Sequence, residues 1–127
     1  MADKTAEKPA RTQGDPLRGN LDLLILSVLA GEPRYGYLIQ QKLEEDSGGM
    51  VSVQAGTLYP ILHKLEAERL IRSRWERTSG RGRKWYELTA AGRRRLVQQA
   101  QQWDEYARCL RKLLSPVLDS APRPAEA

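Results

Sequence analysis

The chain has 127 residues, 21 Lys and Arg against 16 Asp and Glu, and a formal charge of +5. That length holds one domain with tails, no run approaches the roughly 18 apolar residues of a membrane span, and a single cysteine, Cys109, excludes an internal disulfide. Residues 1–19 are polar and lack the apolar centre of a signal peptide, so a cytoplasmic location is expected, with polyanionic partners favoured by the charge.

Residues 1–18 mix Lys, Glu, Pro, Gln and Gly without periodicity. Asp3, Glu7 and Asp15 nearly balance Lys4, Lys8, Arg11 and Arg18, so a disordered, solvated arm is expected. Asn20 is positioned to cap a first helix, with Asp22 in its first turn. Leu21, Leu24, Ile25, Val28 and Leu29 make the apolar stripe, Leu23 and Leu26 widen it, and Gly31 and Pro33 end it. A second helix is expected over 35–46, with Tyr37, Leu38 and Leu43 facing inward and Gln40, Gln41, Lys42, Glu44 and Glu45 mostly outward. Ser47-Gly48-Gly49 breaks it.

In residues 52–70, Leu58, Ile61, Leu62 and Leu65 fall at i, i+3, i+4 and i+7, one apolar side of a third helix. The opposite side carries Gly56, Tyr59, Pro60 and His63, flanked by Thr57 and Lys64. Pro60 is tolerated near a helix start, which places that start at 54–56. Two helices joined by so short a break form a helix-turn-helix, whose second helix enters the DNA major groove.

After Leu70 the period changes to two. Ile71, Ser73 and Trp75 alternate with Arg72, Arg74 and Glu76, and Trp85 and Glu87 alternate with Tyr86 and Leu88, which predicts two strands. Trp75, Trp85 and Tyr86 are expected mostly as core and hinge. The loop Arg77-Thr78-Ser79-Gly80-Arg81-Gly82-Arg83 between the strands is turn-rich and cationic. From 69 to 84 the chain carries seven cations, Arg69, Arg72, Arg74, Arg77, Arg81, Arg83 and Lys84, against one acid, Glu76. Helices followed by such a hairpin predict a mainly α fold with a small β-hairpin wing, a winged helix-turn-helix over 19–88.

Thr89 is placed to cap a last helix over 90–114, which Ser115-Pro116 stops. Leu96, Ala100, Trp103, Ala107, Leu110 and Leu114 repeat at alternating four and three, an a/d seam. About 25 helical residues span some 37 Å. So small a domain cannot cover that length with its own body, so residues 89–115 are expected to be a dimerisation helix and 116–127 a disordered tail. Trp103, between Ala100 and Ala107, either interdigitates with its partner or walls a slot for a flat apolar effector.

Three patterns within about 21–114 resemble the PadR-like family of transcriptional regulators: Arg34-Tyr35-Gly36-Tyr37, Gly56-Thr57-Leu58-Tyr59-Pro60-Ile61-Leu62-His63-Lys64-Leu65-Glu66, and Arg83-Lys84-Trp85-Tyr86-Glu87-Leu88-Thr89-Ala90-Ala91-Gly92. The single C-terminal helix is similar to the family's shorter branch. The resemblance implies a winged-helix repressor, a homodimer through its C-terminal helix, bound to double-stranded DNA at a pseudo-palindromic, inverted-repeat operator. Some members are released by small aromatic molecules. It further implies Thr57 and Tyr59 at the DNA backbone or groove and Arg83 and Lys84 at the wing; the alternative for Tyr59, weighed lower, is that its ring packs on the second helix. The family commonly has glycine where this chain has Arg69.

With the rest of the exposed face and the basic loop, the candidate DNA contacts are Gln54, Thr57, Tyr59, Pro60, His63, Lys64, Arg77, Arg81, Arg83 and Lys84. His63 is either a phosphate or base contact or a bystander. Against an enzyme, the only His and the only Cys stand 46 positions apart, and no zinc spacing, phosphate loop or serine elbow appears, so no cofactor or metal is expected. The alternative is a winged-helix module for RNA or protein partners. RNA modules splay bases over aromatic platforms, and the strand aromatics here read as core.

Overall fold

The computed structural model describes residues 18–77 and 82–120. The expected N-terminal arm, the wing tip with Arg81, and residues 121–127 of the tail lie outside the described residues. After a 3₁₀ turn at Arg18–Asn20, the elements are α1 (Leu21–Val28), β1 (Arg34–Tyr35), α2 (Gly36–Asp46), α3 (Ala55–Ala67), β2 (Ile71–Glu76), β3 (Arg83–Leu88) and α4 (Ala90–Ser120). The chain divides into two compact units, one ending at Leu96 and one beginning at Val97.

The first unit is a winged helix-turn-helix. Ile25 and Leu26 of α1, Leu29 just beyond it, Ile39 and Leu43 of α2, Leu58, Leu62 and Leu65 of α3, and Ile71, Tyr86 and Leu88 of the strands close one apolar cluster. On α3 the predicted stripe is the buried one, and the helix starts within the predicted window. On α2 the buried positions are Gly36, Ile39 and Leu43, a three-four spacing. Tyr37 is therefore rotated off that face and 62% exposed, and Leu38 is half-buried, which corrects their expected inward orientation.

Asn20 occupies the N-cap position of α1 but makes no side-chain capping bond. The other end of α1 is held from β1. Arg34 Nε donates to the Val28 carbonyl at 2.8 Å, placing a cation at the negative end of the helix dipole. β1 also pairs antiparallel with β3, Arg34 opposite Tyr86 and Tyr35 opposite Trp85, so the wing hairpin is extended to a three-stranded sheet of order β1-β3-β2 with β3 at its centre.

Leaving α2, Gly48 and Gly49 adopt φ of 64° and 89°, a left-handed turn that glycine enters without steric cost. The end of α3 makes the same kind of turn with Arg69 at φ 63°. The Leu70 N–H donates to the Leu65 carbonyl and the Arg69 N–H to the Glu66 carbonyl, each at 3.0 Å, which is the Schellman pattern. The glycine to which the resemblance points belongs in this left-handed position, and Arg69 holds it instead.

Thr89 caps α4 as expected. Its hydroxyl accepts from the Gly92 N–H at 3.0 Å and donates to the Arg69 carbonyl at 2.7 Å, while its own N–H donates to the Leu70 carbonyl at 3.1 Å. A Cβ on Gly92 would collide with the Leu70 carbonyl oxygen, so only glycine allows this approach. Leu96, the first residue of the predicted seam, is partly buried against the core.

In the second unit, α4 does not stop at Ser115-Pro116 but continues to Ser120. Pro116 has no N–H for the Lys112 carbonyl, and the Ser115 hydroxyl donates to that carbonyl instead, at 3.2 Å. Trp103 is half-buried and meets the Tyr106 ring edge-on, centroids 5.4 Å apart. Tyr106, Leu110, Leu113, Leu114, Val117 and Leu118 form an exposed apolar stripe along the rest of the helix.

Candidate nucleic-acid interface

The period-two alternation of β2 and β3 sorts the wing's side chains onto two faces. Ser73, Trp75, Lys84 and Tyr86 share the face toward α3, as the cross-strand pairs Ser73–Tyr86 and Trp75–Lys84 require. Glu66 of α3 joins them: the Ser73 hydroxyl donates to its carboxylate at 2.5 Å, and Lys84 Nζ stands 4.0 Å from it. On the other face Arg72 is bound to Glu87 at 2.6 Å, and the Trp85 indole N–H donates to Glu76 at 2.5 Å. The hydrogen bond from Arg72 holds the Glu87 carboxyl below the usual carboxylate range. The basic segment is thus spread over both faces, and Arg72 is neutralised by a partner that the 69–84 window does not contain.

Residues of the α3 face, joined by Tyr35 and Arg83 from the opposite face, border one open groove of about 440 Å³, lined by Tyr35, Gly36, Tyr37, Tyr59, His63, Trp75, Gly82, Arg83, Lys84 and Tyr86. The Arg83 guanidinium lies 4.6 Å from the Tyr35 ring centroid, and Tyr35 in turn meets Trp85 edge-on at 5.0 Å. Lys84 Nζ lies 5.9 Å from the Trp75 ring and 5.8 Å from the Tyr86 ring. Burial raises the Tyr86 hydroxyl's pKa above its ordinary value. Tyr59 both packs on α2 and reaches solvent. It is 37% exposed, and its hydroxyl end lies so close over Gly36 that a Cβ there would overlap it.

Of the predicted contacts, Tyr59, His63, Arg83 and Lys84 meet in this groove. Gln54 stands apart at the N-cap of α3, its backbone extended and its side chain making no cap bond. It lines a second groove of about 430 Å³ with Tyr37, Gln40 and Ala55, and Gln40 Nε2 anchors that entry by donating to the Val53 carbonyl at 2.8 Å. Thr57 is half-buried, and Pro60 and Arg77 are exposed. Lys64 is not with the others: it hydrogen-bonds Asp22 of α1 at 2.5 Å, and that bond raises its pKa above 10.5.

Sequence reasoning missed Tyr35, Tyr37 and Trp75 as parts of this surface. For Tyr37 the signal existed, since Gly36, Ile39 and Leu43 already make a complete inward stripe. For Trp75, 59% exposed, period two placed it correctly on the inward face, but the core ends before it.

Against known proteins, the model of the transcriptional regulator PadR-like family matches residues 25–98. The chain belongs to the PadR-like family. The transcriptional regulator Rv3488 of Mycobacterium tuberculosis is 36% identical over 91 residues, covering 72% of this chain and 82% of that protein. Among solved structures, a transcriptional regulator from Clostridium thermocellum superposes with a TM-score of 0.69 at 26% identity, over 76% of this chain and 94% of that one. Bacillus subtilis PadR in complex with operator DNA superposes with a TM-score of 0.59 at 30% identity, over 67% of this chain and 48% of that one.

The PadR-like fold confirms the expected winged helix-turn-helix, and the family is one of transcriptional regulators, not enzymes. Among the described residues of this PadR-like chain, no His, Cys, Asp and Glu cluster is placed to hold a metal, and no helix is long and apolar enough to cross a membrane.

Proposed function

We propose that this PadR-like regulator is a repressor that binds an inverted-repeat operator in double-stranded DNA as a homodimer. The observation that carries the reading is the outer face of α3, where Tyr59 and His63 stand beside Arg83 of the wing in a groove without a carboxylate among its lining residues. Gln54 leaves the positive end of the α3 dipole without a side-chain cap, which favours a phosphate there. Thr57 and Pro60 reach the same duplex from α3, and Arg77, Arg81 and Arg83 neutralise phosphates from the wing. Lys84 adds charge to this set while bracing the wing against Glu66, and Lys64 contributes only when it leaves Asp22.

The dimer forms through α4, where the exposed Leu110 and Leu114 continue the four-three spacing of Trp103 and Ala107 as a two-stranded seam. A two-fold dimer reads half-sites about 10 bp apart or a multiple of that. Trp103, edge-on to Tyr106 with Ala100 and Ala107 beside it on the helix, is the place for a planar aromatic effector, which would act by favouring one dimer geometry.

Selection of bound duplexes from a random pool tests the proposal. An inverted repeat is expected, and an asymmetric site, or no enrichment of any sequence, refutes it. Replacing Arg77 and Arg83 by Ala is expected to lower the slope of log K against log salt by about one each, evenly across sequences.

A further inference from the structure

Tyr37 at 62%, Trp75 at 59% and Tyr59 at 37% exposure open onto one groove. Rings this large are ordinarily buried, and leaving an indole in water forgoes the free energy its burial would supply. Trp75 and Tyr59 are nevertheless held in place. A Cβ on Gly82 would stand only 3.2 Å from Trp75, Lys84 caps the same indole, and Gly36 receives the Tyr59 ring. Around the rings stand the cations Arg83 and Lys84, the latter 4.0 Å from Glu66, and the imidazole of His63, with no carboxylate lining the groove. A fixed apolar wall with a collar of cations matches a ligand that has an apolar face between anionic groups. A strand of DNA offers that repeatedly, as the C–H face of a deoxyribose between two phosphates. The groove is continuous with the outward face of α3 through Tyr59 and His63, so a duplex on that face passes over it.

We propose that Trp75 is itself a DNA-contacting residue, its indole packing against a deoxyribose of the strand whose phosphates face Arg83 and Lys84. The proposal rests on the duplex-binding reading given under the preceding heading and adds to it a contact that is not electrostatic. Such a contact has its own signature: it changes affinity but releases no counterion, so the salt dependence is untouched.

The experiment is a titration of the selected duplex by fluorescence anisotropy at several salt concentrations, with wild type, Trp75→Ala, Trp75→Phe and Arg77→Ala. Trp75→Ala is expected to bind about tenfold more weakly at every salt, the equivalent of roughly 1.4 kcal/mol, with the slope unchanged. Trp75→Phe is expected to keep most of the affinity, because its ring still offers a flat apolar wall. Bound DNA is also expected to shift the tryptophan emission of wild type to the blue as the indole leaves water, and this shift is expected to disappear in Trp75→Phe, a readout that holds even if the alanine variant is poorly folded. Trp75→Ala binding as wild type does overturns the proposal. So does a slope lowered by about one, which makes the indole only a prop for the Lys84 ammonium. Tighter, Trp75-dependent binding of the single strand overturns it as well, since the groove is then a base-stacking platform. If wild type retains no DNA, the proposed function and this inference fall together; if wild type retains DNA and the variants match it, this inference alone falls.

Discussion

Arg69 is the sharpest place to test the structural argument, because a single substitution should stabilise the protein. It is the only described residue other than glycine with positive φ, 63°. A side chain with a Cβ pays roughly 1–2 kcal/mol to sit in the left-handed region, which glycine avoids. Against that, glycine costs about 0.5–1 kcal/mol of extra freedom in the unfolded chain. The groups that build the turn are all backbone: the N–H groups of Arg69 and Leu70, and the Arg69 carbonyl that accepts from Thr89. None is lost on substitution. Arg69→Gly is therefore expected to gain about 0.5–1 kcal/mol, a rise in melting temperature of roughly 2–8 °C for a domain of this size. Arg69→Ala keeps the Cβ and removes the same charge, so it is the control, expected within about 0.5 kcal/mol of wild type. Both variants are compared by urea unfolding and thermal melting at one protein concentration, since self-association contributes to apparent stability. If Arg69→Gly is no more stable than Arg69→Ala, strain at this turn is not what the φ value reports.

Other outcomes follow from the same contacts. Thr89→Val, which keeps the shape but removes the hydroxyl bonds to Arg69 and Gly92, is expected to cost about 1–2 kcal/mol, read by urea unfolding. Leu110→Asp puts unpaired carboxylates into the proposed seam, so sedimentation should show monomers and operator affinity should collapse with them; a persistent dimer places the interface elsewhere. Two exposed ion pairs give opposite pH signatures in stability. The Arg72–Glu87 bond lowers the Glu87 pKa, so its contribution is complete above about pH 4.5 and is lost as pH falls through the depressed value; the Lys64–Asp22 bond raises the lysine's, so its contribution is complete below about pH 10.5 and is lost as pH rises beyond. Both pairs are solvent-exposed and their effects should shrink in 1 M salt. Glu87→Gln should therefore remove only the acidic change, and Asp22→Asn only the alkaline one.

Helical periodicity carried most of the fold. The α3 stripe, the α3 start and the Thr89 cap follow from spacing and from local hydrogen-bonding chemistry, which act over one or two turns and are therefore visible in sequence. What was not legible depends on partners distant along the chain. β1 is two residues long and exists because β3 offers it a register, so no alternation within 34–35 announces it. Lys64 reads as a free cation beside Pro60 and His63, yet its partner Asp22 lies 42 positions away. Arg72 reads as part of a basic cluster until the antiparallel register sets Glu87 across from it. Pro116 reads as a stop because the proline rule counts one lost hydrogen bond, while the hydroxyl of Ser115 restores a donor to that carbonyl. The candidate groove combines both cases. Its cations were visible as a run, but its aromatic wall appeared only once the extent of the core decided which inward-pointing rings it could cover.

The close approach of Gly92 to Leu70 bears on how force travels in this domain. No side chain stands between the first turn of α4 and the peptide that ends α3, and Thr89 fastens both sides of the junction. A junction of this kind has no slack. Rotation of the first turn of α4 cannot be absorbed by a compliant side chain and must be handed on as displacement of the 69–70 peptide. The start of one helix and the end of the other thus behave as two arms of a lever on one fulcrum. Widening the fulcrum with a methyl at position 92 would change the angle between the arms rather than merely weaken a contact.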